Sequence, residues 1–209
     1  MFENRADAAR RLATRLEHYR GEHPLVFAIP RGAVPMAKII ADELQGELDV
    51  VLVRKLRSPY SPEFAVGSVD ETGWSYVADY AEREGAGAEY IAREKAIQME
   101  LLASRRKQYT PPLNPEGRIA IVVDDGLATG STMISALHAL RSRHPAKLVC
   151  AVPVSPPDTL AKVSELADET VCLETPEYFQ AVGQFYRSFP QVEDDEVVAI
   201  LKGAHEKQV

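Results

Sequence analysis

Residues 118–140 read RIAIVVDDGLATGSTMISALHAL. The first part, residues 119–123, is apolar and β-branched, as suits a strand buried on both faces. It ends in two adjacent carboxylates, Asp124 and Asp125. A loop of small residues, 126–131, comes next. Met133, Ala136, Leu137 and Leu140 then recur at the spacing of a helix with one apolar face. A strand, a small-residue loop and a helix N-terminus in this order form a cradle for an anion, because the loop N–H groups and the positive end of the helix dipole both favour phosphate. Paired carboxylates at the strand end accept hydrogen bonds from the two hydroxyls of a vicinal diol. A ribose 5-phosphate carries both groups. The plainer alternative is local: Thr129, Ser131 or Thr132 caps the helix, and Asp124 and Asp125 serve as cap and solvated carboxylate.

Outward from this stretch, strand-like and helix-like segments alternate. Helices are expected over residues 2–19, 33–44, 88–109, 156–166 and 193–201, and strands over 25–29, 48–53, 64–69, 74–77, 147–154 and 169–173. Residues 54–62, rich in charge, Pro and Ser, read as a loop. Tyr90, Ile97 and Leu101 give the long charged helix its narrow apolar stripe. Apolar strands alternating with helices predict an α/β fold with a mainly parallel sheet covered on both faces. In such sheets ligands bind beyond the carboxyl ends of the strands. Three loops leave strand ends: the one after Asp125, the turn Pro30-Arg31-Gly32, and the stretch beginning Arg54-Lys55.

The 209 residues suffice for one large domain without disulfide or metal support. The formal net charge of −7 argues against a nucleic-acid footprint. No apolar run approaches the roughly 20 residues that span a bilayer, and the charged N-terminus does not read as a signal peptide. Cys150 and Cys172 lie in apolar runs and read as reduced core thiols, and the histidines show no metal-ligand spacing. Cytoplasm is the expected compartment.

Several chemistries are excluded by spacing. A nucleotide P-loop needs Lys before its final Ser/Thr, yet Gly130 is followed directly by Ser131-Thr132, and no GxGxxG appears. Aspartate-nucleophile hydrolases place their carboxylates two apart, whereas these are adjacent.

The segment IVVDDGLATGSTM resembles the phosphoribosyl pyrophosphate (PRPP) motif of type I phosphoribosyltransferases, particularly the adenine version, which also has Ala at Ala128. With FAIPRGAVP and LDVVLVRK, the whole chain is similar to bacterial phosphoribosyltransferases of unassigned acceptor. The resemblance implies a single domain over 1–209 with a core near 25–173, an inserted hairpin and helix over 70–115 and a small hood over 174–209. It implies transfer of phosphoribosyl from Mg-PRPP to a nitrogenous base or related amine, with a PRPP sensor on the same fold as the alternative.

By that resemblance, Asp124 and Asp125 bind the ribose hydroxyls, directly or through magnesium-bound water. Ala128, Thr129, Gly130, Ser131 and Thr132 hold the 5-phosphate. Arg31 and Gly32 belong to a pyrophosphate loop of unusual peptide geometry. Arg54 and Lys55 belong to a mobile catalytic lid, and Phe179 and Val182 fall in the hood over the base. Mg²⁺ and a homodimer are expected. Hypoxanthine-guanine enzymes place an acidic base where Ala128 stands, which counts against a 6-oxopurine acceptor. Glu63 is a further carboxylate of unassigned role. Both aspartates are expected to be ionised near neutrality.

Overall fold

The computed structural model describes residues 1–208; Val209 lies outside them. Five parallel strands form the central sheet: β1 (Leu25–Ala28), β2 (Glu47–Val50), β6 (Ile119–Val123), β7 (Lys147–Val154) and β8 (Glu169–Glu174), in the order β2-β1-β6-β7-β8. Successive side chains on a strand point to opposite faces. Val26, Ala28, Ile121 and Val123 thus meet one core. Leu25, Phe27, Ala120 and Val122 meet the other, against α4 (Ser131–Arg141) and α5 (Pro157–Ser164). The first face is covered by α1 (Arg5–Arg15), α2 (Val34–Leu44) and α6 (Asp194–Gln208).

A second sheet is antiparallel, in the order β3 (Val53–Arg57), β4 (Ala65–Asp70), β5 (Ser75–Val77). The expected hairpin is β4–β5, joined through Asp70, whose side chain accepts from the Thr72 and Trp74 N–H groups at 2.9 and 3.0 Å. The long helix is α3 (Ala88–Arg106). The second sheet lies against both α3 and α4, and Tyr76 of β5 stacks on His138 of α4, with ring centroids 4.6 Å apart and 7° between planes.

Several expectations need correction. The apolar run 48–53 is not one strand: it leaves the parallel ladder after Val50, and Val53 starts β3 in the other sheet. Arg54, Lys55 and Arg57 consequently lie on a strand rather than in a loop, paired to Val69, Ser68 and Ala65 with a bulge at Leu56/Arg57. The stripe that α3 buries is Glu94, Gln98 and Leu102, while Ile97 and Leu101 stay about half exposed. Those two polar side chains are buried because Glu94 binds Arg57 and Gln98 binds Arg54 (2.6 Å each), which offsets their desolvation. The N-terminal helix starts only at Arg5, capped by the Asn4 side chain on the Asp7 N–H, and a 3₁₀ turn at Glu17–Tyr19 ends that segment. Within the tail, α6 packs on α2 and β2.

Candidate active site

The strand order reverses between β1 and β6: the chain runs from β1 to β2 on one side and from β6 to β7 on the other. The loops leaving β1 and β6 therefore diverge and open a crevice, the place where open parallel sheets bind ligands. Asp124 and Asp125 end β6 there, and Arg31 and Gly32 follow β1. The Pro30-Arg31 peptide is cis. Gly32 passes so close to Asp125 that a Cβ would collide with Asp125 Oδ2 and crowd the Arg5 guanidinium. Glycine is what lets the two loops touch.

Arg5, from the first turn of α1, donates from Nε and Nη2 to Asp125 Oδ2 at 3.3 and 3.2 Å. Its guanidinium also bonds the Pro190 carbonyl and lies 3.9 Å from the centroid of the Phe189 ring. The Tyr186 hydroxyl donates to the Asp125 carbonyl at 2.7 Å. Burial pushes the Asp124 carboxyl well above the usual carboxylate range, and the Asp125 charge adds to the shift. Burial raises Asp125 as well, opposed by Arg5. Both carboxyls are thus raised by burial, and the one guanidinium beside them, Arg5, pairs with Asp125 alone.

The loop after Asp125 ends at Gly130, whose φ of +78° lies in the left-handed region that favours glycine. Gly130 is the N-cap of α4 and has no side chain to offer; the Thr129 hydroxyl reaches only the Ser131 N–H, at a long 3.5 Å. Apart from that weak contact, the first-turn donors of α4 are open to an anion. Thr159 of α5 fixes the loop from behind by donating to the Ala128 carbonyl at 2.8 Å. Asp124, residues 126–133, Lys55 and Val182 line a cavity of about 230 Å³.

Comparison with known proteins agrees with this geometry. The family model described as the phosphoribosyl transferase domain matches residues 2–189. The chain belongs to the phosphoribosyl transferase family. Two Mycobacterium tuberculosis proteins, Rv0571c of strain H37Rv and MT0597 of strain CDC 1551, are each 43% identical over 209 residues, and their names provisionally class them as phosphoribosyl transferases. The match covers 98% of this chain and 47% of each relative, so the chain spans about half their length. The crystal structure of TT1426 from Thermus thermophilus superposes with a TM-score of 0.86 at 41% identity, covering 96% of this chain and 97% of that one.

In this member of the phosphoribosyl transferase family, the sequence-derived residues separate into groups. Asp124, Ala128, Thr129, Gly130, Ser131, Thr132, Val182 and Lys55 line one cavity, and Gly32 abuts Asp125. Arg31 is held 3.6 Å from Asp194 at the start of α6. Arg54 and Lys55 do not act side by side: on a strand they face opposite ways, Lys55 toward the loop cavity and Arg54 toward a smaller one beside Pro30. Phe179 packs on Phe185 at a centroid distance of 5.2 Å and against the core. Glu63 is exposed between β3 and β4.

Sequence reasoning missed Arg5 and Tyr186, both of which bond Asp125. Arg5 is one of several arginines on a charged helix and carries no local signal. The contact of Tyr186 with Asp125 joins residues 61 positions apart and likewise has no local signal.

Among the described residues no group of three or more His, Cys, Asp or Glu is arranged to hold a metal. The pair Asp124-Asp125 nevertheless fits a magnesium ion that arrives on phosphates and keeps its waters, since such an ion needs only one or two carboxylates.

Proposed function

We propose that the chain transfers a 5-phosphoribosyl group from Mg-PRPP to a ring nitrogen or related amine and releases pyrophosphate. The observation that carries this reading is one cavity, at the reversal point of the sheet, where Asp124, with Asp125 next to it in the chain, meets a helix N-terminus whose cap residue has no side chain. Asp124 and Asp125 accept from the ribose 2- and 3-hydroxyls. The loop 128–132 and the first-turn N–H groups of α4 take the 5-phosphate, with Lys55 adding a cation. Arg31 and its loop face the pyrophosphate. Asp124 and Asp125 would hold a magnesium ion arriving with the substrate, which would supply neutralisation of phosphate charge. The acceptor nitrogen forms its bond to C1 as the C1–O bond breaks, and the electron pair leaves on pyrophosphate. The guanidinium and ammonium groups stabilise that charge, and the carboxylates hold the ribose while its ring flattens. Val182 places the hood edge against the ribose, and the base lies beyond it toward Phe179.

We read residues 1–209 as one catalytic unit acting as a cytoplasmic homodimer. No described helix is long and apolar enough to cross a membrane.

A pyrophosphate-release screen with Mg-PRPP against purines, pyrimidines and amines tests the reaction. Asp125→Asn is expected to raise the Kd for PRPP by roughly one to two decades, since a charge-assisted hydrogen bond is worth about 1.5–3 kcal/mol. Unchanged PRPP titration by that variant sinks the assignment. PRPP binding with no release across the panel moves the reading to a sensor.

A further inference from the structure

A cavity of about 210 Å³ opens between the antiparallel sheet and the first turns of α4, on the far side of Ser131 from the phosphate loop. Lys55, Tyr76, Tyr80, Ser131, Ile134 and Ser135 line it. Two periodicities bring them together. Ser68 pairs with Lys55 on one side and with Tyr76 on the other, so the three side chains leave the same face of the sheet. Ser131, Ile134 and Ser135 are spaced three and four apart and share one face of α4.

The aromatic walls are held before any ligand arrives. His138 covers one face of the Tyr76 ring, with 7° between planes, yet Tyr76 remains 40% exposed. Tyr80 donates its hydroxyl to the Ala65 carbonyl at 2.9 Å, leans on Phe64 at a centroid distance of 5.7 Å, and remains 38% exposed. Two fixed rings with open surface suit a flat ring as their partner. The charge on the walls has one sign. Lys55 forms no ion pair among the described residues, and none of the residues lining the cavity is a carboxylate. The N-terminal end of α4 adds positive potential. Ser68, between Lys55 and Tyr76, is buried, and its hydroxyl has no hydrogen-bond partner among the described residues, which leaves an unsatisfied polar group on that same face.

We propose that this cavity binds a planar aromatic anion, its ring against Tyr76 and Tyr80 and its charge on Lys55, in competition with phosphate on the loop. The space suffices for a ring, since an apolar cavity of roughly 150 Å³ accepts benzene. A cationic ring is disfavoured by the ammonium. Lys55 and Ser131 also line the phosphate-loop cavity, so the two anions draw on one cation. Each therefore raises the Kd of the other, and by the same factor. The cavity and its occupant stand without the phosphoribosyl reading; the competition rests on the loop taking a phosphate.

The test is an NMR titration of the full chain with benzoate, benzamide and cyclohexanecarboxylate, followed on the backbone amides and on the indole N–H of Trp74. That residue is the chain's one Trp and lies 6.1 Å from His138, so its signal reports on the Tyr76 side of the cavity. Benzoate is expected to bind several-fold more tightly than benzamide, which lacks the charge, and than cyclohexanecarboxylate, which lacks the aromatic ring. Tyr80→Leu is expected to raise the Kd for benzoate by roughly twofold to tenfold, and Tyr80→Phe, which keeps the ring, to bind as the wild type does. Lys55→Gln is expected to erase the preference for benzoate over benzamide. Saturating benzoate is expected to raise the Kd for ribose 5-phosphate several-fold. Thermal melts establish that each variant is folded; should Tyr80→Leu not fold, the exposed Lys55→Gln change decides. No saturable shift with benzoate, equal affinity for benzoate and cyclohexanecarboxylate, or ribose 5-phosphate affinity unchanged by benzoate overturns the proposal. Benzoate binding in a chain with no affinity for ribose 5-phosphate retains the aromatic site and removes the phosphoribosyl reading.

Discussion

Asp124 and Asp125 are neighbours in sequence but not equivalent in electrostatics. Asp125 has Arg5 on its Oδ2, whereas Asp124 has the N–H of Asp125 at 2.9 Å and no ion pair among the described residues. Burial and the adjacent charge hold Asp124 protonated to higher pH in the folded chain than in the unfolded one. The folded state then binds the extra proton, so stability is lost as pH rises from the ordinary carboxylate value through the raised one. Asp124→Asn removes this contribution. Melting curves of both proteins from about pH 5 to about pH 8 should show the wild type losing ground to the variant as pH rises, and a gap that does not change with pH would contradict the shift. Arg5 explains how the pair tolerates proximity at all.

At the level of elements, the second sheet is attached to the first through Arg106 at the end of α3. Its guanidinium bonds Asp49 on β2 at 3.1 Å, Glu71 in the β4–β5 turn at 2.6 Å, and the Val50 and Thr110 carbonyls. Asp49 is only 1% exposed, and burial raises its pKa against the pull of Arg106. Removing the cation leaves that carboxylate buried and unpaired, a loss of about 3–5 kcal/mol. Arg106→Ala should show that loss in denaturant unfolding at neutral pH, and a loss under about 1 kcal/mol would place the pair among weak surface bridges. Because Arg106 joins both sheets, the same variant should also weaken PRPP binding, through Lys55 and Arg54 on β3.

Across the whole molecule, the reversal of strand order between β1 and β6 sets the crevice, and the second sheet with α3 closes its sides. A ligand spanning the crevice touches both sheets and so binds only the folded arrangement. Mg-PRPP at about 100 times its Kd should therefore stabilise the chain by about 2.7 kcal/mol, seen as a rise in melting temperature. No shift under saturating Mg-PRPP would remove PRPP as the ligand.

The parallel sheet and the acid-pair motif were legible because their signals are local. Residues 119–123 are apolar throughout, the carboxylates and small-residue loop follow within a few positions, and the α4 stripe keeps its period. The same local reading failed at 48–57 and along α3. Val51 and Leu52 look like strand continuation, yet the chain changes sheets there, and Glu94 and Gln98 look like solvent-facing residues, yet they are buried by partners on β3. Pattern records how apolar a position is, not which distant polar group will meet it. Arg5 lies 120 positions from Asp125 and Tyr186 lies 61 from it, so their placement follows from packing of elements remote in sequence. Sequence alone specifies the strand, carboxylate pair and small-residue loop at Asp124–Thr132, because those signals are local; the packing of α1, β3 and the tail brings Arg5, Lys55 and Tyr186 to meet them, because those contacts join residues remote in sequence.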